Sequence, residues 1–469
     1  MCIRTTGCWG RQTILSMLIS RPTCDREFAC GDGLLLFPRL TSYGIRVDLI
    51  RDAQGHGIHS FHSSAEQLRF LVYFSPASLF IHSTTDPFFA KMRQTSFLLS
   101  FAAFASVNAL PRGYAPPAER SSINALDDVL VFDAPAFDDP ANPGNTLVQL
   151  QAYASTREVS ISPLIDGVTS ALKAIGLNVS SSTADTVTGR LALFATLGLS
   201  GKAVTVNVDG CAQPATLPST ASGGMAIQNV SVGACASGDA AVQGDVKLSG
   251  FLNNRNVNFT MFPSSNSGFG VISDIDDTVK VSHTLDKLQL AQTTLIDTPV
   301  PVTGMPELYA SLAKSLNSPQ FVYVSGSPFQ LYPFLRDFIS TTYSASNGPI
   351  MLQNLTTTNI QDIINFAQSN GIFEYKSAMI DRIQGMYPGK KFLTIGDSTQ
   401  KDPETYAEAI RKYGDFIACA WIRQVDGANN TAERFAAAFE GVPATKFKIY
   451  TDDEIPSLAN IDVAGGSCS

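Results

Sequence analysis

The stretch FGVISDIDDTVK, residues 269–280, joins a short apolar run to a cluster of carboxylates. The apolar run has the length and composition of a buried strand, and Asp274 and Asp276 follow directly after it. Two carboxylates at a strand end form a compact anionic site that a divalent cation could bridge to a phosphate, and the first could attack phosphorus. Alone the string is a weak signal, because Asp-rich turns are common. It also lacks the Gly and the closing Glu of an EF-hand loop.

Three further polar elements follow this stretch, each placed next to a predicted strand or helix. Ser325 ends the β-branched and aromatic run 321–324, and the acidic group near residue 397 ends the run 391–395. Taken one at a time, the hydroxyl is typical of a helix cap, the lysine of a solvated surface and the acidic pair of a turn. Together at strand ends, these elements indicate one site. In chain order the elements are a hydroxyl, a lysine and a second acidic pair: Ser325, Lys376, Asp397 and Asp402.

From residue 269 onward, strand-like runs alternate with helical patterns. This alternation predicts an α/β fold with a parallel sheet covered on both faces, with ligands at the carboxyl ends of its strands. Between Asp274 and Lys376 the predicted core elements use up the chain, so we expect no large cap and an open site. The predicted helices are 306–316, 328–340, 360–368, 375–386 and 403–413, and the further predicted strands are 349–352 and 416–422.

These motifs resemble the haloacid dehalogenase superfamily of phosphohydrolases. The closer resemblance is to the catalytic domain of the fungal actin-patch-protein type of phosphatidate phosphatase, over residues 266–426. Phe329 stands where we would expect Trp in this family, which predicts a change at the rim of the pocket. The matching text is GVISDIDDTVK (270–280), PVTGMPELY (301–309), YVSGSPFQLYPFL (323–335), FEYKSA (373–378), KKFLTIGDSTQKDPETY (390–406) and WIRQV (421–425).

The resemblance implies a role for each residue of the site and a magnesium cofactor. Asp274 would be the nucleophile that forms an aspartyl-phosphate, and Asp276 the general acid and then the general base. Ser325 and Lys376 would hold and neutralise the phosphoryl group. An oxygen-only ligand set suits Mg²⁺, and stabilising charge on the phosphoryl oxygens is the main task in this chemistry. The implied magnesium site consists of Asp274, the backbone carbonyl of Asp276, Asp397 and the supporting Asp402.

The segment 127–265 is predicted to be a β-rich, sandwich-like accessory domain before the phosphatase domain, which we place at 266–450. Its short apolar runs are separated by Gly, Asn, Ser and Pro, which is typical of sandwiches. One helix, opened by Ser162 and Pro163, interrupts the strands. Residues 110–126 are a Pro-rich linker and 451–469 a tail. The predicted strands are 129–132, 147–153, 191–197, 203–208, 245–251 and 256–262.

Residues 1–91 differ in composition from the rest of the chain. They hold four of the eight Cys residues and four of the five His residues, without a sustained helical or strand period. Met92 then opens a stretch with one early positive charge, an apolar run at 97–107 and a small-residue exit. These are the parts of a signal peptide, which we predict at 92–109. We therefore interpret residues 1–91 as a gene-model extension; an internal hydrophobic linker and a signal anchor are the alternatives.

The remainder of the chain is consistent with the secretory pathway and an extracellular glycoprotein. Its four Cys residues suit two disulfides, and Cys211–Cys235 within the β-rich segment is the predicted bridge. Cys419 lies in an apolar strand-like run, so its pairing with Cys468 is left open. Five glycosylation sequons give mild support, at Asn178, Asn229, Asn258, Asn354 and Asn429.

Composition excludes several classes of function. The 469-residue chain has a formal net charge of -8 and no long basic run, which argues against nucleic acid as a partner. His283 is the one His after residue 91, so a Ser-His-Asp hydrolase or a His-ligated zinc site is unexpected; we interpret it as a surface residue.

The expected substrate is phosphatidate or another phosphomonoester, met at a membrane surface. The alternatives are a secreted phosphatase for soluble phosphomonoesters and a catalytically idle secreted binding protein.

The mature chain is expected to begin near Leu110, because signal peptidase cleaves after the small-residue exit. N-terminal sequencing of the secreted protein measures this directly. A mature protein that keeps residues 1–91 would contradict the interpretation of Met92 as the initiator.

Overall fold

The computed structural model describes residues 121–469 apart from 125, 157–161, 175, 178, 237, 249–254 and 355–370. Before residue 121 it describes seven strands. The chain divides into two compact units, Met1–Ala115 and Pro116–Ser469. The predicted signal peptide and the predicted helix 360–368 lie outside the described residues. Among the helices that are described, none has the length and apolar character needed to span a bilayer.

The strands of the first unit form one antiparallel sheet in the order β3-β1-β2-β4-β5-β6-β7. The sequence indicated no sustained period here, because strand-like alternation is confined to short runs such as IRVDLIR at 45–51. The strands are β1 (Cys2–Gly7), β2 (Thr13–Ile19), β3 (Leu34–Leu36), β4 (Ile45–Arg51), β5 (Gly57–Ser63), β6 (Arg69–Ser75) and β7 (Ser78–Ser83).

The β-rich part of the second unit is one continuous curled sheet of eight strands. Its order is β14-β13-β16-β17-β10-β11-β15, with β9 also paired to β11, while β8 and β12 form a separate pair. The predicted bridge between Cys211 and Cys235 is confirmed and joins two loops of this part. The strands are β8 (Ser121–Ser122), β9 (Asp127–Val131), β10 (Ala134–Asp138), β11 (Thr146–Thr156), β12 (Lys202–Ala203), β13 (Thr205–Val208), β14 (Ala215–Thr216), β15 (Met225–Gly233), β16 (Val242–Val246) and β17 (Asn258–Pro263).

Two helices accompany this sheet, α1 (Ser162–Ala174) and α2 (Ala184–Leu191). The predicted strand 191–197 is wrong, because α2 continues into a 3₁₀ turn at Ala192–Ala195. Val187, Leu191 and Phe194 are all buried, and their spacings of four and three residues place them on one helical face. The apolar run was therefore the end of an amphipathic helix.

The second half of the unit is α/β, with a six-stranded sheet in the order β20-β19-β18-β21-β22-β23. All five strand pairs are parallel, which confirms the predicted parallel sheet. The strands are β18 (Phe269–Ser273), β19 (Gln320–Pro328), β20 (Ile350–Gln353), β21 (Lys391–Asp397), β22 (Ile417–Arg423) and β23 (Phe447–Tyr450). The helices are α3 (Lys287–Leu295), α4 (Met305–Ser315), α5 (Tyr332–Thr342), α6 (Gly371–Met386), α7 (Asp402–Tyr413), α8 (Ala432–Ala438) and α9 (Ile455–Leu458).

The central strand β18 is buried on both faces. Val271 belongs to the hydrophobic cluster on one side of the sheet and Ile272 to the cluster on the other side. Successive side chains of a strand point to opposite faces, and parallel sheets are normally covered on both. The continuous apolar run before Asp274 is therefore the sequence of a strand between two layers.

The tail is bonded covalently to β22, the strand next to the edge strand β23. Cys468 is bridged to Cys419 of β22, and its carbonyl accepts a hydrogen bond of 3.0 Å from the indole nitrogen of Trp421. Both cysteines are buried. The pairing that the sequence left open is therefore a disulfide, because the tail returns to β22 and brings Cys468 beside Cys419.

The β-rich part packs directly against the helices of the α/β half. The ring of Phe132 lies 4.5 Å from that of Tyr332 and 6.3 Å from that of Phe329, measured between centroids. Next to it, buried Asp133 accepts two hydrogen bonds from the guanidinium of Arg336, at 2.7 and 2.9 Å. A bidentate pair of this kind fixes orientation as well as contributing energy.

Phe132→Ala is expected to lower the free energy of unfolding by about 3 kcal/mol, because it removes a fully packed ring and leaves a cavity. Urea denaturation followed by circular dichroism measures the change. Leu126→Ala is the control, since Leu126 is 82% exposed and its loss should matter little. Equal effects of the two substitutions would contradict the packing role of Phe132.

Candidate active site

The carboxyl ends of three neighbouring strands bring the predicted site residues together. β18 lies between β19 and β21, so Asp274, which follows β18, is flanked by Ser325 of β19 and Asp397 of β21. Lys376 comes from α6 and Asp402 is the first residue of α7. Side chains far apart in the chain thus meet at one edge of the sheet, as ligand sites of such sheets do.

Lys376 joins two of the carboxylates. Its Nζ lies 2.7 Å from Oδ1 of Asp274, and it also forms an ion pair with Asp402. The other oxygen of Asp274 accepts a hydrogen bond of 2.9 Å from the hydroxyl of Thr278. Burial alone would lower the pKa of Lys376, but Asp274, Asp402 and Asp397 raise it above the usual range. The lysine is therefore a fixed cation.

Asp274, Asp397 and Asp402 form a buried acidic cluster whose ligand oxygens lie within 4.8 Å of one another. Burial raises the pKa of Asp274 well above its ordinary value, against the opposing effect of Lys376. Burial and the neighbouring carboxylates of Asp402 and Asp277 raise the pKa of Asp397 to about 7. One lysine thus faces three crowded carboxylates, and ionising all of them is unfavourable without further positive charge.

The donor set fits a hard divalent cation. The three side chains offer only carboxylate oxygens, which Mg²⁺ and Ca²⁺ prefer, and with Lys376 they would leave two negative charges for the cation to balance. The hydroxyl oxygen of Thr399, beside Asp397, is buried and has no hydrogen-bond partner among the residues that the structure describes. A buried unpartnered hydroxyl at such a place is consistent with a site that receives a further group.

Gly396 leaves room for the contact between Asp402 and the backbone of Asp397. An oxygen of Asp402 accepts a hydrogen bond of 3.2 Å from the backbone N–H of Asp397. A Cβ atom at position 396 would collide with the carboxylate of Asp402. The glycine is therefore required for the close approach of Asp402 to the backbone of β21.

Asp276 faces a different set of partners. Its Oδ2 accepts hydrogen bonds from the hydroxyls of Ser325 and Ser327, at 2.8 and 3.0 Å. Its Oδ1 accepts one of 2.7 Å from Ser282 and lies 3.5 Å from Nζ of Lys280. Burial would raise the pKa of Asp276, but Lys280 and these hydroxyls lower it overall. The carboxylate of Asp276 is not part of the cluster of Asp274, Asp397 and Asp402. The predicted contact of Asp276 with the metal is therefore still a contact through its backbone carbonyl.

Asp277 shapes the loop behind the motif, a role that the sequence reasoning missed. Its carboxylate accepts hydrogen bonds from the backbone N–H groups of Ser282, His283 and Thr284, at 2.7–2.8 Å. Its φ of 58° is left-handed, a conformation that Asp tolerates better than most residues. Arg423 donates a hydrogen bond of 2.6 Å to its carbonyl. Thr278, Lys280, Ser282 and Ser327 were missed as well, although all but Ser327 stand in DDTVKVS.

Phe329 is not at the rim of the site, which corrects the expectation from the sequence. It is 3% exposed, and its ring lies 4.9 Å from that of Tyr153, between centroids, in the contact with the β-rich part. Phe329 opens the 3₁₀ turn Phe329–Leu331 that leads into α5, and its side chain lies in the hydrophobic core. His283, by contrast, is exposed, as predicted.

The site residues are deeply placed. Of the six predicted residues, Asp276 is the most exposed, at 8%, and the other five are at most 1% exposed. Ser327 and Thr399 are half-buried beside them. A phosphoryl group would therefore enter past Asp276, Ser327 and Thr399, and the predicted open site stays a prediction.

Comparison with known proteins places the site within a recognised domain. Residues 269–424 match the family described as phosphatidate phosphatase APP1, catalytic domain. Phosphatidate phosphatase APP1 of Saccharomyces cerevisiae is 29% identical over 159 residues, covering 33% of this chain and 26% of the relative. An uncharacterized protein of Schizosaccharomyces pombe is 28% identical over 163 residues, covering 34% and 26%.

The chain spans about a quarter of the length of these relatives, and the matched segment contains all six predicted site residues. The match confirms the resemblance read from the motifs. Residues 269–424 are therefore similar to the catalytic domain of phosphatidate phosphatase APP1.

Proposed function

We propose that this protein is a magnesium-dependent phosphatidate phosphatase that releases diacylglycerol and phosphate through an aspartyl-phosphate. The observation that carries the proposal is the buried cluster of Asp274, Asp397 and Asp402 around Lys376, inside the segment that matches the family. We further propose that the α/β half has the haloacid-dehalogenase-like arrangement. A central parallel strand that ends in two carboxylates, with a lysine and a second acidic pair beside it, supports this assignment.

In the proposed mechanism Asp274 is the nucleophile. A carboxylate oxygen of Asp274 forms a bond to phosphorus while the bond between phosphorus and the leaving oxygen breaks. Lys376 and Thr278 hold this carboxylate in one orientation, since each of its oxygens has a partner. The Ser325 hydroxyl lies 2.8 Å from Oδ2 of Asp276. From this position it can donate a hydrogen bond to a phosphoryl oxygen and stabilise the negative charge on that oxygen.

Asp276 is the proposed acid and base. It gives a proton to the leaving alkoxide and afterwards takes one from the water that hydrolyses the aspartyl-phosphate. Without substrate its pKa is lowered, against the raising effect of burial, by Lys280 and three serine hydroxyls. A phosphate group placed beside it would compete for the hydroxyl of Ser325 and add negative charge, and both changes favour the protonated acid.

Magnesium would be held by Asp274, Asp397 and the backbone carbonyl of Asp276, with Asp402 in support. When bound it would supply positive charge to the phosphoryl oxygens. Asp402 also orients Lys376 through their ion pair. The protein residues themselves then provide the nucleophile, the proton and the fixed cation.

Secretion and glycosylation are part of the proposal. The two disulfides are compatible with an oxidising compartment. A sequon can be modified only where its asparagine is accessible. The sequon asparagines within the described residues are all exposed: Asn229, Asn258, Asn354 and Asn429.

Phosphate release from phosphatidate in mixed micelles with excess magnesium tests the function. The wild-type protein is expected to hydrolyse phosphatidate, and Asp274→Asn to abolish turnover, because the amide is no nucleophile and a weaker metal ligand. Circular dichroism should show an unchanged fold. Near-normal activity of Asp274→Asn would contradict the aspartyl-phosphate mechanism.

The same assay distinguishes the alternatives. A preference for soluble sugar phosphates would show that the substrate is a soluble phosphomonoester and not a lipid. Absence of turnover on both substrate classes would favour a secreted binding protein whose catalytic half is idle.

Magnesium is expected to raise the melting temperature, because a cation bound to the folded state stabilises it; about 2.7 kcal/mol is expected at a hundredfold excess over Kd. Asp397→Asn should reduce this shift, since it removes a ligand oxygen. Asp415→Asn is the matched control, because Asp415 is 88% exposed and pairs with Lys446. A shift of the same size in Asp397→Asn and wild type would rule out the proposed ligand set.

A further inference from the structure

Lys280 is a buried cation at the end of the first motif, and the catalytic scheme gives it no role of its own. It is 1% exposed, and its Nζ hydrogen-bonds the hydroxyl of Ser282. The nearest carboxylate is that of Asp276, with 3.5 Å between Nζ and Oδ1. A buried ammonium is tolerated only where a partner compensates for lost hydration. Lys280 is therefore tied to Asp276 rather than to the cluster around Lys376.

The backbone holds Lys280 in this place. Its N–H donates to the carbonyl of Ile275 at 3.0 Å, and its own carbonyl accepts from the N–H of Asp277 at 2.8 Å. The next residue, Val281, donates to the carbonyl of Val300 at 2.9 Å. The turn thus closes on itself and is fastened to a second segment, which keeps the side chain of Lys280 directed at Asp276.

The two oxygens of Asp276 have separate surroundings. Oδ1 is held by Lys280 and Ser282, in the interior of the loop. Oδ2 faces the hydroxyls of Ser325 and Ser327, on the side where the phosphoryl group is proposed to bind. A carboxyl group held firmly by one oxygen presents the other in a fixed direction.

We propose that Lys280 is a positioning residue for the general acid: with Ser282 it anchors Oδ1 of Asp276, so that Oδ2 delivers the proton to the leaving group. The inference rests on the proposed phosphatase function. As phosphorus bonds to Asp274 and its bond to the leaving oxygen breaks, the proton passes from Oδ2 to that oxygen. Asp276 is left as the carboxylate that Lys280 pairs with.

Substrates with different leaving groups test this role. An alkoxide must be protonated as it leaves, whereas p-nitrophenolate is stable without a proton. kcat/KM reports the steps up to departure of the leaving group, so it isolates the acid from the later hydrolysis of the aspartyl-phosphate. The two substrates are dioctanoyl phosphatidate, or glycerol phosphate if the protein prefers soluble esters, and p-nitrophenyl phosphate.

Lys280→Met is expected to lower kcat/KM for the alkyl ester by about a hundredfold or more, as for loss of acid catalysis, and for the aryl ester by much less. Asp276→Asn should show the same selectivity. Ser282→Ala should show it more weakly, because Lys280 remains. Lys280→Arg should partly restore turnover of the alkyl ester, since the charge is kept.

Lys314→Met, on the exposed face of α4, is the control and should leave both values unchanged. If circular dichroism shows that Lys280→Met does not fold, Ser282→Ala tests the positioning role, through the difference between its losses in kcat/KM on the alkyl and aryl esters. Equal losses on both substrates in the folded variants, or no loss at all, would overturn the positioning role while leaving the phosphatase intact. A wild-type protein that hydrolyses neither ester would overturn the proposed function and, with it, this inference.

Discussion

The ion pairs of Lys376 with Asp274 and Asp402 are the constraint on which the rest of the site depends. The lysine is buried with two carboxylates against it and a third nearby, so none of these charges has water to stabilise it. Breaking such an arrangement by removing one partner is costly, about 3–5 kcal/mol for a buried pair. The sheet order and the positions of α6 and α7 are therefore fixed together with the site, since each contributes one partner.

The first motif gives its three carboxylates three different environments. Asp274 faces the cation of α6, Asp276 faces Lys280 and the serine hydroxyls, and Asp277 accepts backbone N–H groups of the following loop. Burial raises the pKa of Asp274 against the effect of Lys376, whereas Lys280 and the serine hydroxyls lower the pKa of Asp276 against the effect of burial. The proposed nucleophile and acid need the opposite shifts, which the positive charge of magnesium beside Asp274 and a phosphate group beside Asp276 would supply.

The β-rich part supports the helices that carry or flank the site. Phe132 and Asp133 contact α5, the helix that begins shortly after Ser325. Arg382 of α6, six residues beyond Lys376, donates a hydrogen bond of 2.7 Å to the side chain of Gln149 in β11. The β-rich part is thus packed against α6, which carries Lys376, and against α5, which follows the strand that carries Ser325.

The sequence by itself determined the parallel α/β half, the six candidate residues and one disulfide, because these leave local signals. Continuous apolar runs that end in polar residues mark buried parallel strands, and their carboxyl ends meet wherever the strands are neighbours. Only the tertiary structure decided which carboxylates pair with which cation, since Lys280 and Lys376 are both lysines near acidic residues along the chain. It also placed Phe329 in the core, paired Cys419 with Cys468 and made residues 191–195 helical. Each of these depends on which distant segment packs against the residue, and neither spacing nor composition carries that information.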